Sequence, residues 1–327
     1  MTGLAYSASA SLDAASAYLA EGRGVEIIAG GTDMLQLLEE RVRSPRELLD
    51  INGLPLAGVT EEGEGLRIGA LTRLVDIADD PRVRERFPAV AEALLASASP
   101  QVRNMATAGG NLLQRTRCLY FRDVATPCNK REPGSGCPAQ DGQNRINAIL
   151  GGSPHCIATY PGDFAVALLA LDAEVRVRGP KGERAVPIGE FHREPGDTPQ
   201  IETVLEPGVF VSAIAIPASP FARRSHYLKV RDRASFEWAI ASAAVALELD
   251  GGTVRQARVA AGGVATKPWR LLQVERALVG QRLEPGLINR ACVHATDGAE
   301  LRTHNAFKAP LLQRTLERAL LQVGGVA

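Results

Sequence analysis

Hydrophobic and polar positions along this chain switch repeatedly between the helical and the strand period, and the switches fall at glycines and prolines. Ser11 is placed to cap a short amphipathic helix with Ala14, Ala15, Tyr18 and Leu19 on one face, and Gly22 ends it. An apolar strand over 25–29 runs into Gly30-Gly31-Thr32-Asp33, after which Met34, Leu35, Leu37, Leu38 and Val42 recur with helical period. A second strand at 48–51 closes a strand–helix–strand unit, so a first subdomain is predicted to end at about residue 53. A strand at 66–70, a short helix capped by Thr72 and an Ala-rich helix opened by Pro88 follow, both helices reading as core packing. Further on, Asp163 is placed to cap an apolar helix running to Leu171, 173–178 alternates as a strand that turns at Gly179-Pro180-Lys181-Gly182, and 209–216 is an apolar strand. Composition breaks at 217–220, which predicts a domain boundary. Beyond it, 225–230 is extended, apolar runs at 240–249 and 253–261 flank the hairpin signal Asp250-Gly251-Gly252, and helices are predicted at 268–279, 285–297 and 307–322. Lys229 and Arg231 read as solvated charges unless a domain interface brings them to a ligand, and Cys292 reads as helix packing.

Three stretches ask for chemistry. Adjacent glycines in Gly30-Gly31-Thr32-Asp33 let the backbone turn N–H groups toward a phosphate with no side chain in the way, although a tight connection alone explains such a turn. The segment 103–112 repeats the device with small residues, the pair Gly109-Gly110 and then Asn111. Two such loops meeting over one extended ligand would hold its phosphates from both sides; the other reading is a crowded turn where only small residues fit. The third stretch holds four of the five cysteines, at 118, 128, 137 and 156, spaced C-x9-C-x8-C-x18-C. It is polar, rich in turn residues and too poor in apolar side chains to hold itself by burial. Two disulfides, a four-thiolate zinc site, an iron–sulfur cluster and chance clustering are the candidates, and the irregular spacing matches neither zinc-finger nor ferredoxin runs. Metal or cluster is favoured over disulfides, with zinc against iron–sulfur open.

With 327 residues and 45% hydrophobic content, the chain has the material for one large core or for two to three smaller ones. Its 37 basic and 37 acidic residues balance and form no long blocks, which argues against nucleic acid or a membrane surface as partner. No basic segment followed by an apolar core opens the chain, and no run approaches a bilayer span, so a cytoplasmic protein without membrane insertion is expected. Export in company with a partner would place it in the periplasm. A reducing compartment weighs further against disulfides.

Taken together, Ala29-Gly30-Gly31-Thr32-Asp33-Met34-Leu35, Arg103-Asn104 with Thr107-Ala108-Gly109-Gly110-Asn111-Leu112, Gly162-Asp163 with its Ala/Leu helix, and Tyr227-Leu228-Lys229-Val230-Arg231 resemble one family over nearly the whole chain. This is the flavin-binding subunit, or medium chain, of the molybdenum hydroxylases: the xanthine dehydrogenase, carbon monoxide dehydrogenase and bacterial aldehyde oxidoreductase group. The resemblance implies an α+β fold, with a two-part FAD-binding domain of the vanillyl-alcohol oxidase (PCMH) type at 1–53 and 54–220. An iron–sulfur insert at 115–157 lies within it, and a C-terminal α+β domain at 221–327 carries a three-stranded antiparallel sheet with helices. It further implies an extended FAD. Ile28, Ala29, Gly30, Gly31, Thr32 and Asp33 form the pyrophosphate loop, working through backbone N–H groups and the Thr32 hydroxyl. Ala106, Thr107, Gly109, Gly110 and Asn111 take the other side of the phosphates and the ribityl region, with Asp163 at the ribose. Lys229 lies near the isoalloxazine, where a cation stabilises the anionic reduced flavin.

Ordinary medium chains pass almost directly from the second loop to the aspartate-headed helix, whereas some forty residues intervene here between Gln114 and Ile157. Two branches carry such an insert with a [4Fe–4S] cluster: the β subunit of 4-hydroxybenzoyl-CoA reductase and the flavin subunit of periplasmic-type aldehyde oxidoreductase. The phrases Arg117-Cys118-Leu119-Tyr120-Phe121-Arg122-Asp123 and Cys128-Asn129-Lys130-Arg131 with Pro133-Gly134-Ser135-Gly136-Cys137 look like the second, which implies Cys118, Cys128, Cys137 and Cys156 as ligands and His155 as a bystander. The implied function is an electron-transfer subunit. It works beside a large molybdenum-cofactor subunit and a small subunit with two [2Fe–2S] clusters, passes electrons through FAD to an external acceptor, and uses none of its own side chains as acid or base on the organic substrate. The rival readings are a 4-hydroxybenzoyl-CoA reductase-like β subunit, a self-sufficient FAD oxidase or reductase, and a scaffold with structural zinc.

Overall fold

The structure is a computed structural model that describes residues 3–22 and 24–326. Its first sheet is parallel, built from β1 (Ala5–Ala8), β2 (Val25–Ile28) and β3 (Glu47–Asp50) in the order β1-β3-β2. Parallel pairing needs crossovers, and the helices Leu12–Glu21 and Met34–Glu39 supply them. Ser11 caps the first helix, its Oγ accepting from Ala14 N at 3.1 Å, and the Gly22 N–H closes it on the Tyr18 carbonyl. β1 escapes sequence reading because Ala5–Ala8 is largely exposed and owes its strand character to β3 alone.

The second sheet is antiparallel, with β4 (Val59–Glu62), β5 (Gly65–Gly69), β6 (Glu174–Gly179), β7 (Gly182–Pro187) and β8 (Phe210–Ile216) in the order β4-β5-β8-β6-β7. β8 is central and buried along its whole length, which is why its sequence is a continuous apolar run. The helices Leu74–Asp79, Pro88–Ala96 and Phe164–Leu169 share one core with this sheet.

The third sheet comprises β9 (Ser225–Val230), β10 (Ala241–Asp250), β11 (Thr253–Gly262) and β12 (Trp269–Arg270), antiparallel in the order β12-β11-β10-β9. Gly251 and Gly252 both take positive φ, 55° and 86°, as a tight hairpin turn between β10 and β11 requires. The expectation of three strands is corrected to four. Residues 269–270 pair with Ala260 and Ala261 instead of opening the next helix, and the Leu271 N–H extends the pairing by donating to the Val259 carbonyl at 2.9 Å, so the helix begins only at Leu272. Helices Leu272–Leu278, Pro285–Cys292 and Lys308–Gly324 cover the sheet, with Cys292 buried in that core as expected.

The cysteine segment is mostly irregular, with one short helix, Leu119–Arg122, and a 3-10 turn, Pro138–Gln140. It is stitched to the third sheet rather than hanging free. Ile149 and Leu150 lie in the C-terminal core, and both their N–H groups donate to the Val264 carbonyl, at 2.8 and 3.1 Å.

Candidate functional site

The two glycine loops face one another across a groove of about 550 Å³. Every residue assigned above to the flavin lines it except Ile28, the last residue of β2. At the first loop, Gly31 has φ 72°, and a Cβ on Gly30 would lie 2.0 Å from the Met105 carbonyl oxygen, so these glycines are what let the two loops approach. Among the described residues, the N–H groups of Gly30, Gly31, Thr32 and Asp33 and the Thr32 hydroxyl have no protein acceptor. Successive unspent donors on a loop without obstructing side chains form an anion cradle.

The second loop works differently from the expectation of a matching cradle. Its N–H groups from Ala108 to Asn111 are spent: Ala108 on Thr72 O at 2.9 Å, Gly109 on Ala70 O at 2.8 Å, Gly110 on Thr107 Oγ1 at 3.3 Å and Asn111 on Thr107 O at 2.8 Å. It is a wall of small residues, and its polar offering is Asn111, whose Oδ1 is buried without a partner. An orphaned buried amide oxygen fits a ligand hydroxyl. The helices after the loops, Met34–Glu39 and Ala108–Leu112, are short, so the cradle rests on the first loop's own N–H groups and not on a helix dipole.

Asp163 does not cap its helix, contrary to expectation, because its backbone is already helical at φ −79°, ψ −43°. Its carboxylate accepts instead from Tyr227 Oη at 2.5 Å, Ser97 Oγ at 2.8 Å and Lys229 Nζ at 2.7 Å. The Asp163 and Lys229 side chains are 5% and 3% exposed. Both residues line the groove, yet the pair consumes most of Asp163's acceptor capacity and neutralises the Lys229 charge. Any ribose contact of Asp163 or isoalloxazine contact of Lys229 is made from within this pair. Burial, joined by the Asp163 charge, raises the Tyr227 phenol well above its ordinary pKa, so Tyr227 acts as a donor.

Sequence reading passed over the β9–β10 connection, where Phe236, Glu237 and Trp238 also line the groove. Two exposed aromatics within the polar run 231–237 and its edge were the available signal. Arg117 of the cysteine segment lies over the Trp238 ring at 4.8 Å and joins Arg115 in the lining, so the segment reaches the groove through its arginines.

Cys118, Cys128, Cys137 and Cys156 border one small cavity together with Phe121, Lys130 and Ala158. No two are bonded; all are free thiols. Among the described residues, no three His, Cys, Asp or Glu side chains are grouped tightly enough to hold a single metal ion. Burial raises the Cys118 and Cys137 thiols and carries Cys156 to about 12, with the neighbouring thiols adding to the shift in each case. Cys118, Cys137 and Cys156 therefore stay protonated unless a cation compensates their thiolates.

The sequence profile described as the FAD binding domain in molybdopterin dehydrogenase matches residues 2–219, and the CO dehydrogenase flavoprotein C-terminal domain matches residues 226–323. The chain is 45% identical over 304 residues to the aldehyde oxidoreductase FAD-binding subunit PaoB of Escherichia coli (strain K12), covering 91% of each chain. It is 29% identical over 279 residues to the glyceraldehyde dehydrogenase medium chain of Sulfolobus acidocaldarius, covering 85% of this chain and 82% of that one. Among solved structures, carbon monoxide dehydrogenase from Hydrogenophaga pseudoflava lacking the Mo-pyranopterin moiety of its cofactor superposes with a TM-score of 0.75 at 28% identity. That match covers 97% of this chain and 96% of the other.

Proposed function

From the premise that this chain belongs to the FAD-binding family of the molybdopterin dehydrogenases and is an oxidoreductase flavoprotein subunit, we propose that it is the electron-transfer subunit of a molybdenum-cofactor aldehyde oxidoreductase. It holds FAD in the groove between the two glycine loops and a [4Fe–4S] cluster at Cys118, Cys128, Cys137 and Cys156. The observation that carries the reading is the pairing, across one groove, of the unspent N–H groups of Gly30–Asp33 with the orphaned Asn111 Oδ1. Bound FAD supplies the exchange between one-electron and two-electron transfer. The chain's own part is to bind and orient: the first loop takes the pyrophosphate, Asn111 a ribityl hydroxyl, and the wall of Ala106, Gly109 and Gly110 leaves room for the phosphates. The 45% identity to an aldehyde oxidoreductase subunit favours an aldehyde as the partner's substrate. A large molybdenum-cofactor subunit, a small [2Fe–2S] subunit and an external acceptor complete the route. We divide the chain at 1–53, 54–220 and 221–327, a division supported by one sheet falling in each part.

Zinc–sulfur bonds of about 2.3 Å bring four thiolates to within roughly 4 Å of one another. A cubane spreads its four thiolates wider; the four thiols here border one cavity, and the likeness of the segment to the aldehyde oxidoreductase form is what favours the cluster. Flavin, iron, acid-labile sulfide and zinc determined per chain on the purified protein test the assignment. FAD with four iron and four sulfide beyond any partner's share is expected. FAD with zinc, or with no metal, removes the cluster and leaves the flavin role standing.

A further inference from the structure

Asp33 closes the first glycine loop and opens the helix Met34–Glu39, a position where a carboxylate ordinarily caps the helix. It makes no such bond, because its backbone is helical at φ −110°, ψ −43° and its side chain turns away. The carboxylate accepts instead from three donors of the cysteine segment: the Arg115 backbone N–H at 2.8 Å, Arg122 Nη2 at 2.9 Å and the Arg117 guanidinium. The Asp33, Arg117 and Arg122 side chains are 17%, 17% and 12% exposed, so the contacts are largely shielded from water. Arg122 also reaches the far end of the same helix, its Nη1 lying 3.0 Å from Glu40 Oε2, and its Nε donates to the Thr116 carbonyl at 3.0 Å. One guanidinium thus brackets the helix that follows the loop.

The apolar side of that helix makes the same connection independently. Leu37, 3% exposed, and Val42 pack in one cluster with Cys118, Phe121, Cys128, Cys156 and Ala158. Helix and cysteines therefore share a core, and no cysteine lines the flavin groove.

We propose that the four-cysteine segment is the footing of the flavin loop: Asp33 and Arg122 are positioning residues that latch the loop to it, so FAD retention depends on a segment whose cysteines touch no flavin. This rests on the reading that Gly30–Asp33 holds the pyrophosphate. Its physical content is preorganisation. A flexible glycine pair presents convergent N–H groups only if its flanks are fixed; β2 fixes one flank and the Asp33 latch the other. Charge-assisted pairs at both ends of a six-residue helix, plus a shared apolar core, fix it more firmly than either alone.

The test uses the full-length chain with three substitutions. Arg122→Met removes both ion pairs while keeping an apolar stem, Asp33→Asn keeps the acceptor for the Arg115 N–H while removing the charge, and Cys137→Ser strikes the segment away from the latch. FAD affinity by flavin-fluorescence titration, hydrogen exchange over 29–40 and metal content are measured for each. Arg122→Met and Asp33→Asn are expected to weaken FAD by roughly tenfold or more and to speed exchange over 29–40, with metal content at the wild-type level. Cys137→Ser is expected to lower metal content and FAD affinity together. Wild-type affinity with wild-type exchange in Arg122→Met overturns the proposal, and so does a Cys137→Ser protein that loses its metal yet binds FAD as tightly as wild type. Should Arg122→Met not fold, Asp33→Asn decides by the same readouts. A wild-type chain that takes up no FAD defeats the flavin reading instead, while the exchange comparison still decides whether the latch holds the loop.

Discussion

Replacing Gly110 with alanine separates the groove from the fold. Gly110 lies in the short helix Ala108–Leu112, and an added Cβ meets only one atom within 4 Å, Thr107 Oγ1 at 2.9 Å. Alanine gains about 0.5–1 kcal/mol over glycine in a helix. Displacing the Thr107 hydroxyl from the Gly110 N–H loses a cap worth roughly 1 kcal/mol, so the two changes nearly cancel in the flavin-free protein. The same methyl stands in the groove, where overpacking against a bound ligand costs about 1–3 kcal/mol, or roughly 5- to 150-fold in Kd. Thermal melting of flavin-stripped protein and a flavin-fluorescence titration measure the two quantities separately. The expected outcome is a Tm close to wild type with a clearly raised Kd; an unchanged Kd at an unchanged Tm would refute the placement of FAD against the second loop. Gly30→Ala is the contrast, because its Cβ falls 2.0 Å from a backbone oxygen and forces both loops to move. Stability and affinity should fall together there.

Two further outcomes follow from buried groups. His192 Nε2 lies 2.9 Å from the Leu112 carbonyl, which only accepts, so Nε2 carries a proton; burial lowers the ring's pKa from 6.5 to about 4, which leaves it neutral at neutral pH. Between those values the unfolded chain binds the proton and the folded one does not, so stability is full above the unfolded value and is lost as pH falls toward about 4, by roughly 3 kcal/mol. Urea unfolding across that range should show the loss, and His192→Gln should abolish this share of it. Lys229→Met leaves Asp163 buried with neutral donors only, which should cost about 3–5 kcal/mol. Adding Asp163→Asn should recover part of that cost in denaturant midpoints, and a strictly additive double variant would contradict the pairing.

What the sequence disclosed and what it withheld divide along range. The glycine loops, the buried strand β8 and the Asp250-Gly251-Gly252 hairpin carry their instructions locally, in backbone freedom and hydrophobic period, and each stands where the pattern placed it. Ten of the twelve flavin candidates in the groove come from two short motifs that flank the same cavity, and Asp163 and Lys229 join them from distant elements. β1 and β12 are strands only through distant partners, so four exposed residues and a two-residue edge gave no local signal. The fates of Asp33 and Asp163 were equally hidden. Each heads a helix, and Asp163 reads as its cap, yet arginines more than eighty residues away claim Asp33, and Ser97, Tyr227 and Lys229 claim Asp163. The Arg117–Trp238 contact across the groove belongs to the same class.

Anaerobic addition of an aldehyde to the protein, once copurified with its partner subunits and once alone, tests the electron-transfer role most directly through the flavin's visible absorbance. Bleaching in the complex and none in the isolated chain is the predicted result, because the proposed role leaves oxidation of the aldehyde to the molybdenum-cofactor partner. Bleaching of the isolated chain by the aldehyde would contradict the account and make the protein a self-sufficient flavoenzyme.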